Sequence, residues 1–338
     1  MTDKTNEIFI VVDAGIVSIT LCAINQYAQV LKEDVFPNEA WKQDGGVKFV
    51  LAKTQQFIAD NHFAIDQIKG IGISTLNVEL KIQQRSVLLP FVYKATFEKE
   101  FPGIMVRAGN EVLLSALGEY QVTYKAMPRS LYYVSWGNVI NGGLVLNGKI
   151  MPGHHGVAGN LSHIPIKGVG TKCWCGNIDC LYTYAAGDVF PFHYYKMLEK
   201  QKPKDYVSPF EGMAQNAVSI KMIMDASAKG DPICRQIMEV ACVAMAKALS
   251  IVIHVINPEL IILGGEVPTY SSDMVKRLAE LTKTQLMYQD TKQTAMVQSK
   301  FKNASVIGAF YFVLASVRAV QGKKTGQVLS ALKKKKES

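Results

Sequence analysis

The feature that most constrains the fold of this chain is that one succession of predicted elements occurs twice in its 338 residues. Near the start, apolar runs separated by turn residues predict an antiparallel meander, followed by helical segments and two further strands. The pattern begins again at residues 131–135 with a strand and a hairpin around Asn147-Gly148, a dipeptide that favours the positive φ angles of a two-residue turn. The repetition predicts the α/β fold class, with two related domains and a cleft between them.

The domain boundaries and the individual elements follow from this repetition. We expect residues 1–120 to form the first α/β domain and 121–304 the second, which carries a Gly- and Cys-rich insert at 153–187. A helix at 305–320 is expected to pack back on the first domain, and 321–338 to be a basic, disordered tail. We predict strands at 8–13, 18–24, 29–35, 70–74, 105–108, 131–135, 144–146, 149–151 and 260–263, and helices at 47–62, 95–101, 111–120, 218–229, 231–256 and 306–319.

Composition excludes several classes of protein. Hydrophobic residues make up 49% of the chain and charged residues 19%, which is too apolar for a disordered chain. The formal net charge of +9 is concentrated at the end, where residues 318–338 hold seven Lys or Arg and one acid. Such a tail either remains solvated or attracts anionic partners in a salt-sensitive way. Because the rest of the chain is nearly neutral, we do not expect direct nucleic-acid binding.

The start of the chain and its apolar stretches predict a cytoplasmic protein without a membrane partner. Residues 1–13 lack the basic start, apolar core and small-residue cleavage site of a secretory signal. The longest apolar stretches, at 248–256 and 305–317, are shorter than the ~20 residues that span a bilayer. The first predicted strand starts about eight residues in, so we expect no helix-turn-helix module before it.

Four side chains in the insert predict a metal site. Cys173, Cys175 and Cys180 lie within eight residues, and His163 precedes them by ten. Three thiolates and one imidazole form a closed tetrahedral set, which is typical of structural Zn²⁺. The alternative is a group of free cysteines beside an unrelated histidine. An iron–sulfur cluster would need a fourth nearby cysteine.

Several motifs resemble those of the ROK family, which is named after repressors, uncharacterised reading frames and sugar kinases. They are GVAGNLSH at 156–163, CWCGN at 173–177, CLYTYAAG at 180–187, DAG at 13–15, the glycine pair 142–143 and NPELIILGG at 257–265. The resemblance implies a two-domain, actin-like ATPase or hexokinase-type (ribonuclease H-like) fold, in which sugar and ATP meet in the interdomain cleft. It also implies a homodimer, and it makes His163, Cys173, Cys175 and Cys180 the zinc ligands.

The sugar side departs from the family pattern. Family kinases place an Asn and a catalytic Asp where this chain has Asn110 and Glu111, so Glu111 is the candidate base with one extra methylene. A displacement of about an ångström can cost about a hundredfold in rate. Two acids expected to bind sugar are replaced by Asn160 and Tyr182. The resemblance implies substrate contacts from Asn110, Asn160, His163 and Tyr182.

The nucleotide side departs as well. Backbone N–H groups can approach a phosphate only where no side chain intrudes, which is why such loops need glycine. The first family loop, Asp-x-Gly-Gly-Thr-Lys, is DAGIVS here, with Ile16 and Val17 in place of glycine and threonine. The second loop, at 137–143, carries Val139 and Asn141 at glycine positions. The resemblance makes the candidate nucleotide-binding residues Asp13, Gly15, Gly137, Gly142, Gly264 and Gly265.

These losses lead to three hypotheses. The first is a carbohydrate-sensing regulatory protein, a pseudokinase with structural Zn²⁺ that binds a small carbohydrate or derivative and acts through a protein partner, without its own DNA-binding domain. The second is an ATP-dependent hexose or amino-sugar kinase, of the glucokinase or N-acetylhexosamine kinase type, with Glu111 as base and with ATP and Mg²⁺ as cofactors. The third is a scaffold that binds no small molecule.

Two further features stay open at this level. His154 and His155 either contact a ligand or face solvent within their Gly-rich loop. Trp136, which precedes the second loop, either closes the nucleotide space or packs in the core.

Overall fold

The structure of the protein is a computed structural model that describes residues 7–82, 85–123, 128–166, 168, 170–201 and 206–336. The chain divides into two compact units. Unit 1 contains residues 1–125 together with 303–338, and unit 2 contains residues 126–302.

The described residues form twelve strands and eleven α-helices. The strands are β1 (Ile8–Ala14), β2 (Ser18–Asn25), β3 (Val30–Pro37), β4 (Ile68–Thr75), β5 (Glu79–Ile82), β6 (Arg85–Leu88), β7 (Met105–Asn110), β8 (Ser130–Trp136), β9 (Ile140–Leu146), β10 (Lys149–Ile150), β11 (Leu260–Gly264) and β12 (Ala295–Gln298). The helices are α1 (Trp41–Asp44), α2 (Val47–Asp60), α3 (Leu89–Glu100), α4 (Glu111–Thr123), α5 (Tyr182–Ala185), α6 (Phe190–Gln201), α7 (Ile220–Ala228), α8 (Pro232–Ile256), α9 (Glu266–Tyr270), α10 (Ser272–Thr284) and α11 (Ala304–Lys336).

The two units contain five-stranded sheets of the same design. The strand order is β3-β2-β1-β4-β7 in unit 1 and β10-β9-β8-β11-β12 in unit 2. In each sheet the first three strands are antiparallel and the last three parallel. The duplicated pattern predicted from the sequence is therefore confirmed. The hairpin at Asn147-Gly148 is also confirmed, since both residues have positive φ.

In unit 1 the sheet is covered by α2 and α3 on one face and by α4 and α11 on the other. β1 is buried along almost its whole length, as expected for a strand that packs on both faces. Helices α4 and α11 approach closely at Gly118 and Gly308. A Cβ atom on Gly118 would lie 2.2 Å from the carbonyl oxygen of Ala304, and one on Gly308 would lie 1.7 Å from that of Leu114. These glycines therefore allow the helices to pack with their backbones in contact.

In unit 2 the core lies between the sheet and the helices α5 to α8. Asp231 caps α8 by accepting a hydrogen bond from the backbone N–H of Cys234, and Pro232 occupies the first turn, where its missing N–H has no cost. Trp136 is fully buried in this core, and its Nε1–H donates to the carbonyl of Ala185 at 2.8 Å. Of the two interpretations left open for Trp136, the structure supports core packing.

Among the described residues, two helices have the length and mean hydropathy of a membrane span, although neither contains an uninterrupted apolar run of that length. They are residues 232–256 and 304–322, and 56% and 44% of their most apolar windows are buried within the protein. The expectation counted uninterrupted apolar residues, whereas a helix tolerates isolated polar ones. Because core helices of soluble proteins pass the same test, length and composition alone do not place these helices in a membrane.

Other differences from the predicted elements have local causes. The helix expected at 95–101 starts at Leu89, since Pro90 lies in its first turn, where proline is favoured. The sequence analysis did not predict the hairpin β5–β6, the strand β12 or the helices α1, α5, α6, α9 and α10. The segment expected to be a disordered tail continues α11 as far as Lys336, because it is rich in Lys, a good helix former, and contains no proline.

Candidate functional site

The insert of unit 2 brings the four predicted metal ligands together. The ligand atoms of His163, Cys173, Cys175 and Cys180 all lie within 4.8 Å of one another. The Sγ atom of Cys173 lies 3.6 Å from Nδ1 of His163, and the Sγ atoms of Cys175 and Cys180 are also 3.6 Å apart. This cluster can hold a metal ion.

The backbone of the insert builds this cluster without a long regular element. Short antiparallel bridges join Pro165 to Cys180 and Lys172 to Ile178, which brings the histidine end of the insert beside the last cysteine. Within the loop closed by the second bridge, the backbone N–H of Cys173 donates to the carbonyl of Asn177 at 2.8 Å. The tight turn between them uses Gly176, whose φ of +94° is free of strain only for glycine.

Aromatic rings surround the imidazole of His163. Tyr182 stacks on it with ring centroids 6.2 Å apart, and Trp174 packs edge-on at 4.9 Å. The Tyr182 hydroxyl donates to the carboxylate of Asp188. Tyr182, expected among the sugar contacts, is thus engaged by the metal-ligand cluster and by Asp188.

The donor set fits a tetrahedral zinc ion. With Zn–S bonds of about 2.3 Å, sulfur atoms in a tetrahedral site are separated by about 3.8 Å, close to the distances in the cluster. Burial raises the pKa of the Cys180 thiol to about 12 and lowers the pKa of His163. A metal ion must displace the thiol protons, so its affinity should rise with pH. All four positions would be filled by protein, which is the arrangement of a structural site rather than a catalytic one.

A second group of polar residues lies in unit 1, where the parallel strands β1, β4 and β7 end at one edge of the sheet. Asp13 lies near the end of β1 and pairs in register with Ser74 of β4. Glu111 begins α4 directly after β7. Burial, and then the charge of Asp13, raise the pKa of Glu111 to about 7, and burial also raises the pKa of Asp13. The two candidate carboxyl groups therefore interact.

The neighbouring amides are used within the chain. The side-chain oxygen of Asn110 accepts a hydrogen bond from the backbone N–H of Val112 at 3.1 Å, so it caps the start of α4. In unit 2 the exposed Asn160 makes an equivalent turn, since its side-chain oxygen accepts from the backbone N–H of Ser162 at 3.0 Å. Both predicted sugar-binding amides hold local backbone turns.

The first candidate phosphate loop is closed by its own hydrogen bonds. The backbone N–H of Gly15 donates to the carbonyl of Ser18 at 3.0 Å, and the carbonyl of Gly15 accepts from the side chain of Asn38 at 2.7 Å. Ile16 and Val17 are 49% and 81% exposed. The N–H group of the one glycine left in this loop is thus occupied, and the loop tip carries two apolar branched side chains.

The second candidate loop is fixed in a similar way. The backbone N–H of Gly137 donates to the carbonyl of Val139 at 3.1 Å, and the carbonyl of Gly137 accepts from Gly187 at 2.8 Å. Gly142 has a packing reason to be glycine, because a Cβ atom there would lie 2.2 Å from the hydroxyl of Tyr132.

The glycine pair at the end of β11, Gly264 and Gly265, is also explained by packing. A Cβ atom on Gly264 would lie 1.9 Å from the hydroxyl of Tyr133. Gly265 has a φ of +94°, and a Cβ atom there would lie 2.5 Å from the carbonyl oxygen of Trp136. The presence of these glycines therefore carries no information about a nucleotide.

Sequence reasoning missed some residues that shape these sites. Ser305, at the start of α11, donates from its hydroxyl to the carboxylate of Asp13 at 3.1 Å. No motif links two residues 292 positions apart, so only the fold brings them together. Asp188 is adjacent to the insert motif but was not singled out. His154 and His155 are both exposed, with their rings edge-on at 4.4 Å, which supports the solvent-facing interpretation.

Comparison with known proteins identifies the family. The model of the ROK family matches residues 9–316, which is nearly the whole chain. The chain belongs to the ROK family. The resemblance noted from the insert motifs is thus confirmed.

The relatives include both regulators and kinases. The chain is 29% identical over 171 residues to the DNA-binding transcriptional dual regulator NagC of Escherichia coli; the match covers 51% of this chain and 40% of the regulator. A crystal structure of a ROK family transcriptional regulator, a homologue of the E. coli MLC protein, superposes with a TM-score of 0.76 at 22% identity, covering 93% of this chain and 81% of that one. A ROK family glucokinase from Streptomyces griseus, solved with glucose and AMPPNP, gives a TM-score of 0.70 at 20% identity, covering 89% and 97%.

These similarities establish the fold. The structural relatives are ROK sugar kinases and repressors with the two-domain, actin-like ATPase fold, so the predicted fold class is confirmed. The match to the curated regulator spans less than half of that protein, and its activity is not transferred by the alignment.

Proposed function

We propose that this chain is a carbohydrate-sensing regulatory member of the ROK family that does not transfer phosphate efficiently. The observation that carries the proposal is the state of its two candidate phosphate loops. The N–H groups of Gly15 and Gly137 both donate to carbonyls of their own loops, at 3.0 and 3.1 Å. Phosphoryl transfer depends on positioning and on charge stabilisation by such donors. Donors that are already paired give little of either.

The side chains of the loops support the same proposal. Ile16, Val17 and Val139 are branched and apolar, and each is at least 45% exposed. An exposed β-branched residue adds no hydrogen-bond donor and keeps polar groups at a distance. The intact glycines of unit 2 do not argue for nucleotide binding, because Tyr132, Tyr133 and the backbone of Trp136 explain them.

On the sugar side we propose a ligand different from that of a typical family kinase. Tyr182 stands where the family has a carboxylate, and its hydroxyl is bonded to Asp188. The side-chain oxygen of Asn160, in the same unit, caps a local turn, which leaves its NH₂ group as a donor. A site that offers donors in place of carboxylate acceptors favours a carbohydrate derivative with extra acceptor groups.

We propose that the cluster of His163 and the three cysteines holds Zn²⁺ as a structural ion. The four residues come from both ends of the segment 163–180, whose short bridges bring their ligand atoms together. Zinc binding to folded protein contributes directly to stability where a site does not exist in the unfolded chain.

One observation favours the second candidate function, an ATP-dependent sugar kinase with Glu111 as base. Burial and the charge of Asp13 raise the pKa of Glu111 to about 7, which suits a general base at neutral pH. ATP and Mg²⁺ would then be cofactors, with Mg²⁺ held near Asp13. This candidate needs phosphate donors other than the N–H groups of Gly15 and Gly137, which are already paired.

We further propose how the regulatory function works. The ligand binds one of two conformations more tightly and so increases its population. A partner protein then binds one of the two conformations in preference to the other. The protein acts in the cytoplasm as a homodimer, by analogy with its family. Direct contact with nucleic acid and membrane attachment are not part of the proposal.

Thermal melting with a panel of hexoses and amino sugars, with and without ATP–Mg²⁺, tests the proposal. A ligand that binds only the folded protein raises the melting temperature. We expect a shift with at least one sugar or derivative and none with ATP–Mg²⁺ alone. No shift with any sugar would support the scaffold hypothesis, and a shift with ATP–Mg²⁺ would support the kinase.

A further inference from the structure

We propose that unit 2 contains a binding site for a small organic anion with an apolar body, in a cavity between α6, α8 and the insert. The cavity has a volume of about 400 Å³, within the range of small-molecule sites. It lies within a single unit. It is lined by Thr171, Tyr184, His193, Lys196, Met197, Lys200, Gln236, Ile237 and Val240.

The charge of the lining points to an anion. Lys196 and Lys200 lie one turn apart on α6, and no acidic residue lines the cavity. Within the described part of the chain, neither lysine forms an ion pair. The ammonium group of Lys196 lies 5.4 Å from the ring centroid of Phe192, which holds it in place without neutralising it.

The polar groups of the lining add directionality. The Nε2–H of His193 donates to the carbonyl of Thr183 at 2.7 Å, which leaves Nδ1 as an acceptor. Burial lowers the pKa of His193, so the ring stays neutral beside Lys196. Gln236 adds an amide. The cavity thus offers two cations for an anionic group, with neutral donors and acceptors for the rest of the ligand.

The apolar part of the lining selects the body of the ligand. Met197, Ile237, Val240 and the ring of Tyr184 present apolar surface beside the lysines. An inorganic anion would leave this surface in contact with water, whereas an aromatic or aliphatic group would cover it. Tyr184 and Val240 also line a second cavity of about 250 Å³, whose lining includes Glu239 and Lys247.

The wall formed by the insert is held in place by the protein alone. The carboxylate of Asp179 accepts hydrogen bonds from the backbone N–H of Thr171 at 2.8 Å and from the hydroxyl of Tyr184. Two lining residues are therefore fixed before any ligand arrives, which reduces the entropic cost of binding. None of the residues assigned to sugar, nucleotide or metal lines this cavity, so the inference does not depend on the proposed function.

Isothermal titration calorimetry of the full chain with phenyl phosphate tests the proposal. The double variant Lys196→Gln/Lys200→Gln removes both charges from exposed positions of α6. We expect wild-type protein to bind phenyl phosphate, and the double variant to bind it at least about tenfold more weakly, because both cations that pair with the phosphate are removed. Val240→Phe, at a position that is 45% exposed, should fill the cavity and weaken binding similarly without unfolding the protein.

The controls separate this site from general anion binding. Lys149→Gln/Lys276→Gln removes two exposed charges elsewhere in unit 2 and should leave the affinity unchanged. Inorganic phosphate carries the charge but no apolar group, and phenol carries the ring but no charge. Each should bind at least tenfold more weakly than phenyl phosphate. Absence of phenyl phosphate binding at 10 mM, or equal affinity in the lysine and control variants, would overturn the proposal.

Discussion

Replacing Glu111 by Gln should make the protein more stable at neutral and alkaline pH. In the folded protein, burial and the charge of Asp13 raise the pKa of Glu111 from its usual 4.5 to about 7. The folded state therefore favours the protonated form. As the pH rises from about 4.5 through 7, the unfolded chain ionises first, and the free energy of unfolding decreases. Glutamine is neutral throughout and removes this decrease.

The magnitude follows from the same shift. A pKa difference of about 2.5 units corresponds to about 3 kcal/mol at pH values above 7. Glu111 is partly exposed, and contact with water screens the interaction, so we expect about 1–2 kcal/mol. Near pH 4, where both states are protonated, the variant and the wild type should differ little.

Urea unfolding of wild-type protein and Glu111→Gln at pH values from 4 to 8 measures this difference, with the melting temperature as a second readout. For a unit of this size, 1–2 kcal/mol corresponds to a shift of about 2–8 °C. Glu100→Gln is the control, because it removes an exposed charge from α3 of the same unit. The reasoning is refuted if the difference between Glu111→Gln and wild type does not grow with pH, or if the control shows the same growth.

Two further predictions concern unit 2. Cys180→Ser should reduce the metal content of purified protein from about one zinc per chain to near zero and lower its melting temperature. The control Cys242→Ser, in the core of α8, should retain the metal. Equal zinc content in both variants would contradict the assigned ligands. Gly265→Ala should destabilise the protein by about 2–4 kcal/mol in chemical unfolding, because of its φ of +94° and the contact with the Trp136 backbone. Gly137→Ala, where the nearest atom to a Cβ would be 3.6 Å away, should cost less than about 1 kcal/mol, and a similar cost for both would show that the packing argument is wrong.

The sheets could be predicted from the sequence because their signals are local. The apolar run of β1 and the Asn147-Gly148 turn each specify one conformation, and both occur in the structure. The helix α10 was missed although Val275 and Leu278 give it an apolar face, because the rest of the helix is strongly polar. The helix expected at 95–101 starts earlier, at Leu89, because Pro90 fits the first turn of α3.

The metal cluster could also be predicted, because the spacing of its ligands is a local property of one loop. The hydrogen bonds within the candidate phosphate loops could not be predicted from the sequence. That the N–H of Gly15 donates to Ser18 depends on how β1 and β2 pair, and the contact of Ser305 with Asp13 depends on the packing of α11 against the sheet. The packing role of Gly264 becomes visible only once the Tyr133 hydroxyl is placed beside it. The family motif assigns Gly264 to nucleotide binding, but packing explains the presence of a glycine at this position equally well.

The most direct test of the central claim is a measurement of ATP-dependent phosphate transfer to hexoses and amino sugars by the zinc-loaded protein, with Glu111→Gln in parallel. The paired amides of Gly15 and Gly137 predict turnover no higher than that of the variant for every sugar. Robust phosphorylation of one sugar that is lost in Glu111→Gln would contradict the account and establish the chain as a kinase.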